Sequence, residues 1–153
     1  MTDQPAYDIE ASHVFDAPRE RVFRAFVDAG EFSGWYGPPG FPVPRDTVEI
    51  EPRPGGRHRF AMVADADPAM RMAFDGRFTE LVPDELLVST GTWSGIPGQD
   101  AGWPSNLRVE LHDQDGKTRV RLLEGPHPPG TADLGRQSWA QMFPKLETIV
   151  SGG

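Results

Sequence analysis

The strongest constraint on the fold is a long central stretch in which apolar residues recur at every second position. The stretch runs from Thr47 to Leu122 and is interrupted by turn sequences such as PRPGG and DQDG. A period of two is typical of strands with one buried face, and tight turns make successive strands antiparallel. We therefore expect a meander of about six strands in this part of the chain.

Segments on either side of the meander complete the expected fold. Tyr7 to Phe15 alternates as a further strand, and Pro18 is placed to begin a helix that runs to about Asp28. Glu31 to Trp35 reads as a short second helix. The spacing from Thr131 to Val150 predicts a long final helix, which Pro144 should kink. The fold class is α+β: a curved antiparallel sheet whose apolar face is covered by the C-terminal helix.

Each expected strand of the meander has its own alternation. The six ranges are Val48 to Ile50, His58 to Met62, Met70 to Leu81, Leu86 to Trp93, Leu107 to Leu111 and Thr118 to Leu122. His58 shares strand parity with Phe60 and Met62, which predicts that its imidazole lies on the apolar side. The pattern does not decide which face of the Leu86 to Trp93 strand points inward.

Size and composition narrow the class of protein. A chain of 153 residues with 37% apolar content is expected to form one domain over residues 1–153. The formal charge of -8 argues against nucleic acid and anionic membranes as partners, because both need clustered Lys and Arg. Cysteine is absent and no apolar run is long enough to span a bilayer, so a cytoplasmic location is the default expectation.

The histidines give little sign of a metal centre. His13, His58, His112 and His127 are far apart in the chain, with no pair at the spacing that places two imidazoles on one face. We expect neither a metal nor an organic cofactor. His58 is the one histidine for which a role in binding or proton transfer is considered, although a structural role is the commoner one for such a residue.

Five sequence motifs together resemble one family. They are FDAPRERVF (15–23), WYGPPGF (35–41), RPGG (53–56), FDGRFTELVPDELLV (74–88) and SWAQMFPKLE (138–147). In this order they are similar to the START-like (SRPBCC, birch-pollen-allergen-like) superfamily. Within it they resemble the branch named after the C-terminal domain of the activator of the ninety-kilodalton heat-shock chaperone ATPase.

The resemblance implies a helix-grip fold with a cavity between the long helix and the sheet. Members of the superfamily include lipid carriers, receptors, cyclases, hydrolytic enzymes and chaperone activators, so the fold alone does not decide the function. The leading hypothesis is a protein that binds a small hydrophobic or amphipathic molecule in this cavity, as a monomer or a weak homodimer. The alternatives are a cofactor-free cyclase, dehydratase or hydrolase that uses the same cavity, and, less favoured, a module that activates a chaperone ATPase.

The expected ligand-binding residues combine large apolar side chains with a few polar ones. They are Trp35, His58, Phe60, Met62, Phe74, Phe78, Trp93, Arg136, Trp139, Met142 and Phe143. Aromatic walls with few polar groups are typical of small-molecule sites. Arg136 is placed in the set as a cation that could meet a polar ligand at the rim. The strand carboxylates, including Glu110 and Glu124, are expected to point to solvent.

Overall fold

The computed structural model describes residues 7–151, and this part of the chain contains seven strands and three α-helices. The strands are β1 (Ile9–Phe15), β2 (Glu49–Ile50), β3 (Arg57–Val63), β4 (Arg71–Val82), β5 (Leu86–Ser94), β6 (Trp103–Gln114) and β7 (Lys117–Gly125). The helices are α1 (Arg19–Val27), α2 (Ala29–Trp35) and α3 (Ala132–Ser151), and a short 3₁₀ turn spans Arg45–Thr47. The expected α+β order is confirmed.

The seven strands form one antiparallel sheet in the order β1-β7-β6-β5-β4-β3-β2. Strands β2 to β7 pair with their neighbours in sequence, which is the predicted meander, and β1 adds to the edge beside β7. α3 packs against β1, α1 and α2. The predicted helix-grip fold is therefore confirmed.

The core lies between the concave face of the sheet and the helices. α3 contributes five buried side chains to it: Trp139, Met142, Phe143, Leu146 and Val150. They recur at helical spacing, and they face apolar residues of the sheet such as Phe15 and Leu122. α3 continues as an α-helix through Pro144, whose outward side chain is exposed.

The Gly-Pro corner, residues 36–41, follows α2 and is joined to α3 by two hydrogen bonds. The Gly37 N–H donates to Sδ of Met142 at 3.0 Å, and Nζ of Lys145 donates to the Gly37 carbonyl at 2.9 Å. Gly37 has a φ of 102°, and a Cβ there would lie 2.1 Å from the carbonyl oxygen of Phe41. Only glycine fits this position, and the corner thereby holds Tyr36 against the concave face.

Strand β6 begins earlier than the sequence pattern indicates. It was expected from Leu107, but it starts at Trp103, which pairs with Trp93 of β5. The discrepancy arises from Pro104, because proline lacks the N–H of a regular ladder and suggests a loop. The additional residues bring Ser105 opposite Gly91, next to the candidate site.

Candidate functional site

A small cavity lies on the concave face of the sheet, beneath the corner that carries Tyr36. Its volume is about 10 Å³, which is about the space that one water molecule requires. Its lining residues are Tyr36, His58, Phe60, Phe74, Ser89, Trp93, Ser105, Asn106, Leu107 and Glu124. The space between the helices and the sheet is therefore filled mostly by the protein's own side chains. A narrow cavity remains where several polar groups meet aromatic rings.

The sheet register explains how these residues come together. One row across the sheet contains His58, Gly76, Gly91 and Ser105, which are successive pairing partners. The Phe74 ring covers the two glycines of this row, since a Cβ on Gly76 or Gly91 would lie 2.5 or 2.7 Å from that ring. The glycines thus make room for an aromatic wall beside His58.

His58 is a buried, neutral imidazole with one unsatisfied nitrogen. Its side chain is stacked on Phe78 with ring centroids 4.7 Å apart, and Nδ1 lies 3.1 Å from Oγ of Ser89. Nε2 has no hydrogen-bond partner among the described residues. Burial lowers the pKa of His58 to about 3, because the charged form loses its hydration. A buried nitrogen without a partner is costly, which makes it a candidate for binding a further polar group.

Glu124 is the charged group of the cavity, and two donors hold one of its oxygens. Nε1 of Trp139 donates to Oε1 at 3.0 Å, and Nε2 of His127 approaches the same oxygen at 3.2 Å. Neither of these contacts engages Oε2. These two donors leave the second oxygen of Glu124 free to accept a further hydrogen bond, and the residue is one of those that line the cavity.

His127 also contacts a second carboxylate, that of Asp8, which directly precedes β1. Its Nδ1 lies 2.6 Å from Oδ1 of Asp8, and its backbone N–H donates to Oδ2 of Asp8 at 2.7 Å. Burial alone would lower the pKa of His127, but hydrogen bonds and charge from Glu124 and Asp8 outweigh it and raise the pKa to about 9. His127 is accordingly an imidazolium at neutral pH, and it orients Glu124.

Tyr36 supplies a neutral phenol next to this group. Burial and then the negative charge of Glu124 raise the pKa of Tyr36 well above its usual range. The phenol therefore keeps its proton and can both donate and accept a hydrogen bond. Its ring stands edge-on to Trp139 and to Phe60, at 5.7 and 4.6 Å between centroids.

Several residues expected at the site from sequence line the cavity itself, and others surround it. His58, Phe60, Phe74 and Trp93 line it, and Trp93 is half-buried. Phe78 and Trp139 contact its polar groups, as described above. The remaining buried candidates, Trp35, Met142 and Phe143, belong to the core under α3, while Met62 lies half-buried on β3.

Arg136 lies outside the cavity. Its side chain is exposed on α3 and pairs with Asp133 one turn earlier. It is not among the residues that line the cavity. The polar groups that do line the cavity come instead from the sheet and the corner, and they include no guanidinium or ammonium.

Five polar cavity residues were missed by the sequence interpretation: Tyr36 as a lining residue, Ser89, Ser105, Asn106 and Glu124. The signal for Glu124 was present, because it shares strand parity with Val120 and Leu122, which are buried. Ser89 similarly shares parity with Leu87 and Trp93. His127 had no comparable signal, because it lies in an irregular proline-rich loop after β7.

A second concentration of charge lies on the convex side, where Glu110 meets two arginines and a histidine. Burial opposes its ionisation, but hydrogen bonds from Arg108, His112 and Arg121 prevail and lower the pKa of Glu110 to about 2. An open groove of about 500 Å³ passes over this cluster. Because its charges already neutralise one another, the cluster is explained as an ion-pair network that braces β6 and β7.

Residues 7–151 contain neither a metal-binding cluster nor a helix that could cross a membrane. No group of three His, Cys, Asp or Glu side chains there has the arrangement needed to hold a metal ion. Asp8 and Glu124 approach opposite nitrogens of His127, so these three residues do not converge on one point. Within the same range, no helix has the length and apolar character required to cross a bilayer.

Comparison with known families agrees with this architecture. The sequence model described as "Activator of Hsp90 ATPase homolog 1-like protein" matches residues 16–151. The chain belongs to this family. No curated protein matches the chain at a significant level.

Solved structures show the same fold in other bacterial proteins. A protein from Chromobacterium violaceum is 26% identical with a TM-score of 0.81, over 93% of this chain and 96% of that one. The AHSA1 protein from Silicibacter pomeroyi is 20% identical with a TM-score of 0.76, over 94% and 96%. A protein from Arthrobacter aurescens is 17% identical with a TM-score of 0.79, over 100% and 94%. At the lower identities the likeness concerns the fold alone.

Proposed function

We propose that this AHSA1-like protein binds a small molecule with an apolar body and one polar end, in the cavity lined by His58 and Glu124. The observation that carries the proposal is the unpartnered Nε2 of His58, which is buried beside a cavity. An unsatisfied buried polar atom costs free energy, and a ligand atom that bonds to it recovers that cost. The surrounding rings of Phe60 and Phe74 would bury the apolar body.

Ligand entry requires a side chain to move, because a cavity of about 10 Å³ is far smaller than a typical ligand site. Trp93 is the residue best placed to do so. It is half-buried, it lines the cavity, and its ring packs at 5.6 and 5.3 Å from those of Phe60 and Phe74. It also precedes the loop between β5 and β6, so its rotation need not disturb the sheet. We assign to Trp93 the role of a gate.

The test is native mass spectrometry of the protein purified from cells, followed by denaturation and identification of any released compound. We expect a bound compound in the unmodified protein and in Trp103→Ala. It should be absent from His58→Phe, which replaces the imidazole by a ring of similar shape without nitrogen atoms. Trp103 is the matched control because it pairs with Trp93 but bonds outside the cavity, to the Pro126 carbonyl at 2.8 Å.

The gate is tested in the same experiment with Trp93→Ala. Removing the indole should widen the cavity and increase the occupancy or the exchange rate of the bound compound. A compound retained equally by His58→Phe would place binding elsewhere on the protein. A protein without any bound compound, and without thermal stabilisation by any member of a small-molecule library, would contradict the proposal.

A cofactor-free enzyme that uses the same cavity is the second candidate, and one observation favours it. A cavity carboxylate, Glu124, lies within hydrogen-bonding distance of the His127 imidazole, as general acid–base chemistry requires. Such an enzyme would convert the compound identified above. Incubating that compound with the purified protein and analysing it by mass spectrometry would reveal a product that the Glu124→Gln variant does not form.

A further inference from the structure

The charged groups around the cavity include more carboxylates than cations. Asp8 and Glu124 supply two carboxylates, and His127 supplies one imidazolium between them. The cluster therefore carries one net negative charge. α3 carries two basic side chains, and both are engaged elsewhere. Arg136 pairs with Asp133, and Lys145 donates to the Gly37 carbonyl.

The other polar groups at the cavity do not neutralise this charge. His58 is neutral at physiological pH, for the reason given above, and it can present Nε2 as an acceptor when Nδ1–H donates to Ser89. The phenol of Tyr36 can accept as well. Glu124 still has Oε2 beyond the reach of the two donors that hold Oε1. Ser89 and Ser105 add hydroxyls that both donate and accept, and the Asn106 amide donates to the Gly125 carbonyl. The lining thus has a carboxylate and no cation, and it includes aromatic rings that themselves favour cations.

We propose, on the basis of the binding function proposed above, that the polar end of the ligand is a protonated amine that donates to Oε2 of Glu124. A primary ammonium has three donors and no acceptor, which matches this set of groups. A ligand carboxylate would instead meet the carboxylate of Glu124 in surroundings of low dielectric, where repulsion between like charges is strong. A neutral alcohol can donate to Glu124 but brings no compensating charge.

Three probes with the same indole ring separate these cases: tryptamine, tryptophol and indole-3-acetate. Their dissociation constants are measured by isothermal titration calorimetry for the unmodified protein and for Trp93→Ala. In the variant, the indole ring of the probe can occupy the space of the deleted side chain. We expect tryptamine to bind at least tenfold more tightly than indole-3-acetate, with tryptophol between them.

Glu124→Gln provides the decisive comparison. The amide oxygen can still accept from Trp139 and His127, while the amide NH₂ replaces Oε2 and turns an acceptor into a donor. The variant should lose the preference for tryptamine and bind indole-3-acetate more tightly than the unmodified protein does. Glu80→Gln is the matched control, since Glu80 is exposed on β4 and its removal changes the net charge equally.

The possible results distinguish failure of this inference from failure of the binding function. If indole-3-acetate binds as tightly as tryptamine and Glu124→Gln changes neither, the ammonium assignment is wrong while the cavity remains a binding site. If Glu80→Gln reduces the tryptamine preference as much as Glu124→Gln does, overall charge and not this site determines it, and the assignment is also wrong. If no probe binds to either the unmodified protein or Trp93→Ala, the ammonium assignment is wrong, and the binding function is decided by the native mass spectrometry and the library described above.

Discussion

His58 and His127 both belong to the polar surroundings of one cavity, yet the pKa of the first is lowered and that of the second is raised. Each imidazole is withdrawn from water, and burial alone disfavours the charged form of both. The difference lies in their partners. His58 meets only the hydroxyl of Ser89, whereas His127 lies between the carboxylates of Asp8 and Glu124.

This comparison indicates how the fold separates two tasks. The first imidazole remains neutral and keeps one nitrogen without a partner among the described residues, which suits the binding role proposed above. The second is charged and fixes the orientation of Glu124. Because the two pKa values lie on opposite sides of neutrality, the protein should lose stability through different histidines at acid and at alkaline pH.

The largest expected effect concerns His58 in acid. Its pKa is about 3 in the folded protein and about 6.5 in an unfolded chain. Between these values the unfolded chain binds a proton that the folded protein does not, so the free energy of unfolding falls as the pH is lowered. At pH 4.5 the contribution is about 3 kcal/mol, from roughly 1.4 kcal/mol for each pH unit below 6.5.

The measurement is urea unfolding at pH 7 and pH 4.5 for the unmodified protein and for His58→Phe/Ser89→Ala, which removes both members of the hydrogen bond. The double variant should lose about 3 kcal/mol less between the two pH values. His112→Gln is the control, because His112 is an exposed histidine on β6. An equal loss of stability in all three proteins would mean that His58 is already protonated, or solvated, at pH 4.5.

His127 is expected to make a smaller contribution to the free energy of unfolding, and this contribution is lost as the pH rises, not as it falls. Its pKa is about 9 in the folded protein, above the value of about 6.5 for an unfolded chain. The stabilisation is therefore complete below pH 6.5 and is lost as the pH rises through 9. Because the side chain is partly solvated, we reduce the contribution to about 2 kcal/mol.

His127→Gln tests this contribution by urea unfolding at pH 6.5 and pH 9.5. The variant should be about 2 kcal/mol less stable than the unmodified protein at pH 6.5, and this difference should shrink to below about 1 kcal/mol at pH 9.5. A difference that is the same at both pH values would show that His127 stabilises the loop by packing and not by its charge.

The same two histidines illustrate what the sequence could predict. His58 lies on a regular strand, and its parity with Phe60 was sufficient to place it on the concave face, where it is buried. Glu124 could have been placed by the same argument, through Val120 and Leu122 on β7. Carboxylates generally face solvent, but for Glu124 strand parity is the better guide.

His127 and the cavity volume are harder to anticipate from sequence. His127 follows Gly125 and Pro126 in an irregular loop, where no period relates one side chain to the next. The volume depends on how rings such as those of Phe74 and Trp93 fill the space over Gly76 and Gly91. Such packing is a property of the assembled core, which the order of strands does not determine.

The smallest expected effect on stability is that of the hydrogen bond from Trp139 to Glu124. Glu124 is also the carboxylate that His127 contacts. Trp139→Phe keeps an aromatic ring in the core but removes the N–H that donates to Oε1 at 3.0 Å. A hydrogen bond to a charged group contributes about 1.5 to 3 kcal/mol, and partial compensation by the second donor should reduce this part of the loss to about 1 kcal/mol. The smaller ring adds a packing loss, because Trp139 is buried. The measurement is urea unfolding at pH 6.5.

Combination with His127→Gln decides whether Trp139 and His127 act on the same carboxylate. Because both donors share Oε1, the double variant Trp139→Phe/His127→Gln should deviate from the sum of the single losses by about 0.5 kcal/mol or more. Trp35→Phe is the control, since Nε1 of Trp35 donates instead to the Ala25 carbonyl at 2.9 Å, and its loss should add to that of His127→Gln. Additive losses for both tryptophans would mean that Glu124 does not couple α3 to the His127 loop, and the orienting role assigned to His127 would fail.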